Sequence, residues 1–216
     1  MPPGLAGLLS PFAVQCSQPQ AELANERIRQ AGIAGRCRVE VCDYREIDEP
    51  SGYDKLVSVG MVEHAGESML PEYFKQAWRL LRPGGVVLNH GIARHPSQPA
   101  QRGPDFTDRY VFPDVEASPI NTTLRIAETT GFEVRDVESL REHYVLTLRH
   151  WIHGLDTHYD EVRRTTDEAT YRAWRLFFSA AAYDFQTGRR NLYQVLLAKP
   201  DQGNSGLPLT RADWYA

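Results

Sequence analysis

Between Leu70 and Leu88 the sequence passes from an amphipathic helix to a buried strand with only a proline–glycine turn between them. Leu70, Tyr73, Phe74, Ala77, Leu80 and Leu81 recur at helical spacing and make one apolar face. Arg82-Pro83-Gly84-Gly85 ends that helix, because proline has no amide to donate and glycine adopts the backbone conformations that stop one. Val86-Val87-Leu88 then resumes as an apolar run. A helix with one apolar stripe, followed at once by a strand with no polar face, reads as a helix packed on a sheet. That places the chain in the α/β class.

The remaining segments keep the same rhythm. Residues 12–16 read as a short strand, and Pro19 stands at a first helical position. Gln20, Ala24, Arg27, Ile28 and Ala31 follow at helical spacing, with Gly32 as the stop. Residues 37–42 alternate as a strand, 43–46 make a loop, and 56–59 form a second apolar strand. Residues 93–120 are rich in Pro, Gly, Asp and Arg and read as a long loop or lid. A helix over 122–130 stops at Gly131, with a strand near 133–137. Thr165-Thr166-Asp167-Glu168 matches a capping box, opening a helix whose face carries Tyr171, Trp174, Phe178, Ala181 and Phe185. Gly188 closes it, 193–198 is a final strand, and a polar tail follows from Asp201.

Composition narrows the class of function. A chain of 216 residues supports one domain with a sizeable core, and 42% hydrophobic with 24% charged residues is ordinary for a globular protein. A net charge of −4 argues against nucleic acid as the main partner, since phosphate binding wants a basic surface. The cysteines Cys16, Cys37 and Cys42 are odd in number and contain no CxxC pair, so a disulfide framework or structural zinc is not expected and a reducing cytoplasm fits. No basic leader precedes an apolar stretch at the start, and no apolar run approaches the roughly 20 residues that span a bilayer.

Three stretches carry chemistry. The first is Tyr53-Asp54-Lys55-Leu56-Val57-Ser58-Val59-Gly60-Met61-Val62-Glu63-His64-Ala65-Gly66. The second runs from Leu80-Leu81-Arg82-Pro83-Gly84-Gly85 to Asn89-His90-Gly91-Ile92, and the third is His143-Tyr144-Val145-Leu146-Thr147-Leu148 with Trp151. Together they resemble the cyclopropane-fatty-acyl-phospholipid and mycolic-acid cyclopropane synthases, over about residues 17–200. The Pro-Gly-Gly turn is shared by many class I methyltransferases. The Glu-His after the strand, joined to the later His-x-Ile, is far more specific.

The resemblance implies a Rossmann-like class I methyltransferase sheet, mostly parallel and flanked by helices, with S-adenosylmethionine at the carboxyl ends of the strands. It implies methyl transfer from a sulfonium to a cis double bond of a lipid acyl chain. The carbocation so formed closes a cyclopropane ring on losing a proton, and a bound bicarbonate serves as base. An unsaturated phospholipid or fatty acyl chain is the implied substrate, with peripheral membrane contact. Carried over residue by residue, Glu63, His90, the backbone of Ile92 and Tyr144 hold the bicarbonate. Donors from His90 and Tyr144 suit an anion, and a carboxylate suits the bicarbonate hydroxyl. Gln20, Asp43, Tyr44, Ser58 and Gly60 fall at cofactor-binding positions.

Two parts of the family pattern have no counterpart, the glycine-rich turn after the first strand and the cysteine ligand upstream of it. Gly4-Leu5-Ala6-Gly7 lacks the strand and the acidic partner, and Cys16 does not align with the ligand. The expected organisation is therefore an irregular segment over 1–16, an incomplete methyltransferase domain over 17–200 lacking its first strand, and a loose tail over 201–216. An inactive remnant, a lipid-binding protein without catalysis, or a small-molecule class I methyltransferase are the competing readings. Taken singly, Glu63 can open a solvated loop, His90 can be a core histidine, and Tyr144 and the 171–185 stripe can be ordinary packing. Arg94, His95, Arg102 and Arg109 can line a solvated loop rather than a headgroup site. The joint order of Glu63, His90-x-Ile92 and Tyr144 is what lifts those residues above packing.

Overall fold

A computed structural model describes residues 12–15, 17–99, 105–113 and 115–212. The chain divides into two compact units, Met1–Pro50 and Ser51–Ala216.

In the first unit β1 (Phe12–Gln15) and β2 (Arg38–Val41) pair in parallel, with Phe12 opposite Arg38 and Gln15 opposite Val41. Parallel neighbours need a crossover, which α1 (Gln18–Gln30) supplies, with Pro19 in its first turn as the sequence suggested. Asn25 ties the helix to the strand through both ends of its amide: Nδ2 donates to the Val39 carbonyl at 2.8 Å, and Oδ1 accepts from the Val39 amide at 3.0 Å. Cys16, expected to end the first strand, lies outside the described residues. Asp43 caps a short 3-10 turn, Tyr44–Glu46.

The second unit holds β3 (Tyr53–Val59), α2 (Val62–Ala65), α3 (Leu70–Leu80), β4 (Leu81–Arg94), α4 (Phe106–Tyr110), α5 (Ile120–Thr130), β5 (Glu133–Ser139), α6 (Arg141–Thr157), α7 (Tyr159–Thr165), α8 (Glu168–Gln186) and β6 (Arg190–Ala198). Its strands lie in the order β3-β4-β6-β5. Only β3 and β4 run parallel; β6 inserts antiparallel to both β4 and β5. The sheet is mixed, not mostly parallel as expected, because three helices return the chain after β5 and bring β6 back in the opposite sense.

Several local expectations shift. Strand β4 starts at Leu81, before the Pro-Gly-Gly turn: Leu81 faces Tyr53 and Val86 faces Lys55, so the intervening residues are bulged out of the ladder. Gly84 sits at φ +78°, and a Cβ on Gly85 would come within 2.9 Å of the Arg82 carbonyl oxygen. Lys199 holds this turn from the end of β6, its Nζ donating to the carbonyls of Trp78 at 2.9 Å and Leu81 at 2.6 Å. The Trp78 carbonyl also accepts from the Leu81 amide at the helix C-cap, so the ammonium joins the end of α3 to the start of β4. The expected loop over 93–120 is partly structured, since β4 runs to Arg94 and α4 carries a capping box from Asp105. The cap of α8 is Asp167, whose side chain accepts from the Thr170 amide, while Thr165 ends α7. Beyond Asp201 the described residues are tied rather than loose: Asp201 and Asn204 bridge, Ser205 is buried, and Arg211 pairs with Asp136.

Two apolar clusters cover the sheet. On α3, Leu70, Tyr73, Phe74 and Leu80 are buried as the spacing predicts. Phe74 and Trp78 meet Phe132 edge-on at 6.2 and 5.1 Å, and the Tyr73 hydroxyl donates to Asn89 Oδ1 of β4 at 2.7 Å. A second cluster joins Val145 and Leu148 of α6, Phe185 of α8 and Leu192 of β6, with Ile92, Tyr144, Phe178 and Ala181 against it. Phe178, Ala181 and Phe185 of the sequence stripe thus serve as core. Tyr171 instead donates to Asp156 at 2.9 Å, and Trp174 packs on Phe112 and Phe177.

Phe74 is fully buried among aromatic neighbours. Phe74→Ala is expected to cost about 3–5 kcal/mol of stability, measured by urea unfolding; a loss below about 1 kcal/mol would mean that this core collapses around the gap.

Candidate active site

The site is built where β3 stops pairing with β4. The last pair in that ladder is Val59 with His90, and the Gly60 amide then donates to the His90 carbonyl at 2.9 Å. Gly60 turns with φ +64°, and the chain enters α2, which presents Glu63. With β3 gone, the next amide on that edge of β4 belongs to Ile92. It donates to Glu63 Oε1 at 3.4 Å, so a side chain continues the ladder where the strand ends.

Glu63 is buried, and its Oε2 has no hydrogen-bond partner among the described residues. Burial drives its pKa above the ordinary carboxylate value, while the hydrogen bond from Ile92 opposes that rise. Room for the carboxylate depends on Gly91, where a Cβ would lie 2.2 Å from Val62 Cγ1 and 3.1 Å from Glu63 Oε2. The α2 turn is also held from the segment before α5: the Glu116 amide donates to the Glu63 carbonyl at 2.9 Å, and Glu116 Oε2 accepts from the Glu67 amide at 3.2 Å.

On β4, His90 Nδ1 lies 3.1 Å from Nε2 of Gln194 on β6, directly across the antiparallel ladder. Burial lowers the His90 pKa, which favours the neutral ring. Tyr144 extends from α6, edge-on to Phe185 at 4.9 Å and Trp151 at 5.8 Å. Burial raises its pKa, and the negative charge of Glu63 raises it further. Glu63 and His90 are thus linked through the backbone of β4, and the charge of Glu63 is felt at Tyr144 as a smaller effect than burial.

The expected cofactor residues fall in both units. Gln20 is exposed in the first turn of α1. Asp43 is engaged by Arg45, whose amide and Nε donate to Oδ1 at 2.9 Å and whose Nη2 donates to Oδ2 at 2.5 Å. These hydrogen bonds from the Arg45 side chain and amide pull the Asp43 pKa down to about 2. Tyr44 follows in the capped turn. In the second unit the Ser58 hydroxyl is buried without a hydrogen-bond partner, and the nearest atom to a Cβ on Gly60 would be Glu63 Oε1 at 3.9 Å. Sequence reasoning did not single out Gly91, Glu116 or Gln194. Gly91 sat inside the quoted motif, and Gln194 was legible as the polar interruption of an apolar strand. Nothing in the sequence marked Glu116.

The mixed sheet with flanking helices, with a carboxylate where the parallel pair of β3 and β4 ends, matches the class I methyltransferase fold. The crystal structure of the mycolic acid cyclopropane synthase CmaA1 complexed with SAH and CTAB superposes with a TM-score of 0.78, at 26% identity over 86% of this chain and 68% of that one. The chain belongs to the mycolic acid cyclopropane synthetase family, whose sequence pattern matches residues 10–195. A probable fatty acid methyltransferase of Pseudomonas putida is 39% identical over 208 residues, covering 94% of this chain and 53% of that protein. A probable fatty acid methyltransferase of Mycobacterium tuberculosis is 34% identical over 194 residues, covering 89% of this chain and 45% of the relative. The chain therefore spans about half the length of these curated relatives.

Two outcomes follow from this geometry. Gly91→Ala should push Val62 and Glu63 aside and cost about 1–3 kcal/mol, read by urea unfolding. The second concerns pH. The folded chain keeps the Glu63 proton to higher pH than the unfolded chain, so the stability it contributes is full below the ordinary value of 4.5 and is lost as pH rises through the raised folded value. Glu63→Gln should therefore show no such decline; stability curves of the two proteins should run parallel below pH 4.5 and diverge above it, with the variant gaining. Parallel curves throughout would place Glu63 in water.

Proposed function

We propose that this chain carries the reacting site of an S-adenosylmethionine-dependent methyltransferase acting on the double bond of a lipid acyl chain, an unsaturated phospholipid or fatty acyl group. The observation that carries it is Glu63: a buried carboxyl with one oxygen on the Ile92 amide and the other unpartnered, electrostatically coupled to Tyr144. A buried polar atom without a partner is costly unless a ligand completes it.

The residues present fit the groups that the family implies. Ser58, with its unpartnered hydroxyl, and Gly60, which carries no side chain and turns the chain away at φ +64°, suit a cofactor lying against the end of β3. When bound, S-adenosylmethionine supplies an electrophilic methyl group. A small oxyanion such as bicarbonate suits Glu63, His90 and Tyr144. The lowered pKa of His90 keeps one ring N–H available on a neutral imidazole, and the raised pKa of Tyr144 keeps its hydroxyl protonated as a donor. Glu63 Oε2 then accepts from, or donates to, the oxyanion according to its own proton. The rings of Tyr144, Trp151, Phe178 and Phe185 are apolar yet carry negative faces, which suits a neighbourhood that passes through positive charge.

The names of the relatives support this reading: two are named probable fatty acid methyltransferases, and a 28% identical protein of Gibberella zeae is named a sphingolipid C9-methyltransferase. These names favour methyl addition to a chain carbon as the shared step, with ring closure a further outcome of the same first step. Contact with the lipid is peripheral on this reading, and no helix among the described residues is long and apolar enough to cross a membrane.

The test supplies radiolabelled S-adenosylmethionine and vesicles of unsaturated phospholipid, with the extracted acyl chains resolved by mass spectrometry. Label should enter the chains as a methyl branch or a cyclopropane. Glu63→Gln should lower turnover by roughly 10²–10⁴-fold with little change in cofactor affinity, the pattern of a group acting in the transition state. Equal losses in turnover and affinity would make Glu63 structural, and absence of label from the unaltered chain would overturn the reading.

A further inference from the structure

His90 carries its ring on β4 beside Gln194 of β6, in a row that runs Val59, His90, Gln194, Glu138 across four paired strands. Paired residues in a sheet stand on the same face, so the imidazole and the amide meet by register and need no loop to bring them together. The separation of 3.1 Å between Gln194 Nε2 and His90 Nδ1 is hydrogen-bond distance. An amide nitrogen only donates, so Nδ1 is the acceptor and the ring proton belongs on Nε2.

We propose that Gln194 is a positioning residue that fixes His90 as its Nε2–H tautomer. The amide does two things at once. It removes Nδ1 from competition for a ligand and leaves Nε2–H as the single ring donor. It also sets the plane of the ring, since the hydrogen bond aligns Nδ1 with a strand whose backbone is locked on both sides. Gln194 borders a groove of about 240 Å³ lined by Leu88, Asp136, Glu138 and Leu196, on the same face of the sheet as His90. A glutamate at this position would accept a proton where the glutamine donates one, and so would reverse the tautomer. The consequence for turnover rests on the proposed function, in which His90 is a donor to an oxyanion; the tautomer itself does not.

The experiment reads the two separately. Imidazole nitrogen resonances of ¹⁵N-labelled protein are recorded, with His90 assigned by its disappearance in His90→Asn. The unaltered chain should show Nδ1 bare and Nε2 protonated. Gln194→Leu should give averaged tautomers, and Gln194→Glu should move the proton to Nδ1. Finding the proton on Nδ1 in the unaltered chain, or the same tautomer in both variants, would overturn the proposal. In the methyl-transfer assay Gln194→Leu should lower kcat on the order of 10-fold, the scale of a partner that orients a ligand-holding histidine, with KM for S-adenosylmethionine unchanged. A chain that transfers no methyl group but shows the expected tautomers would retire the functional reading and leave Gln194 in its role.

Discussion

The hydrogen bond from the Ile92 amide to Glu63 Oε1 stands at the point where this sheet changes hands. Up to His90, the edge of β4 is satisfied by β3; after it, β3 has turned away at Gly60 and the backbone donor must be met by something else. Meeting it with a carboxylate draws Glu63 into a buried position and leaves its second oxygen without a partner. The same geometry excludes a side chain at position 91 and calls on Glu116 to pin the α2 turn. A strand that ends early thus creates both the polar group and the space around it.

The second constraint is the placement of β6. By inserting antiparallel between β4 and β5 it puts Gln194 beside His90 and Leu192 beneath α6 and α8. The apolar cluster of Val145, Leu148, Phe185 and Leu192 then fixes the rotation of α6, and that rotation decides where Tyr144 stands. Packing and chemistry share residues here: Phe185 is a core residue and also the ring against which Tyr144 is set. Removing bulk from this cluster would therefore disturb the site without touching a polar atom.

The chain's similarity to the cyclopropane synthetase family was readable because its motifs are local. Glu63 follows a strand by four residues, and His90 and Ile92 follow a glycine turn by a few more. The helices at 70–80 and 120–130 were equally plain, since an apolar stripe with a glycine or proline stop is set by the nearest neighbours along the chain. The helix over 141–157 was missed because its apolar residues are spread around the cylinder rather than along one stripe, with only Val145 and Leu148 fully buried. The capping residue of α8 was misplaced by two positions, because Thr165 and Asp167 offer similar oxygens and only the end of α7 decides between them.

By itself the sequence determined the alternation of helix and strand, the order of the chemical residues and their family pattern, all of which depend on spacing along the chain. Tertiary structure alone decided the direction of β6, the unpartnered oxygen of Glu63, the clamp from Glu116 and the pairing of Gln194 with His90. Each of these joins residues that are far apart in the chain, 104 positions in the case of His90 and Gln194. Their meeting is set by strand register, and register is fixed by which faces the whole sheet must bury.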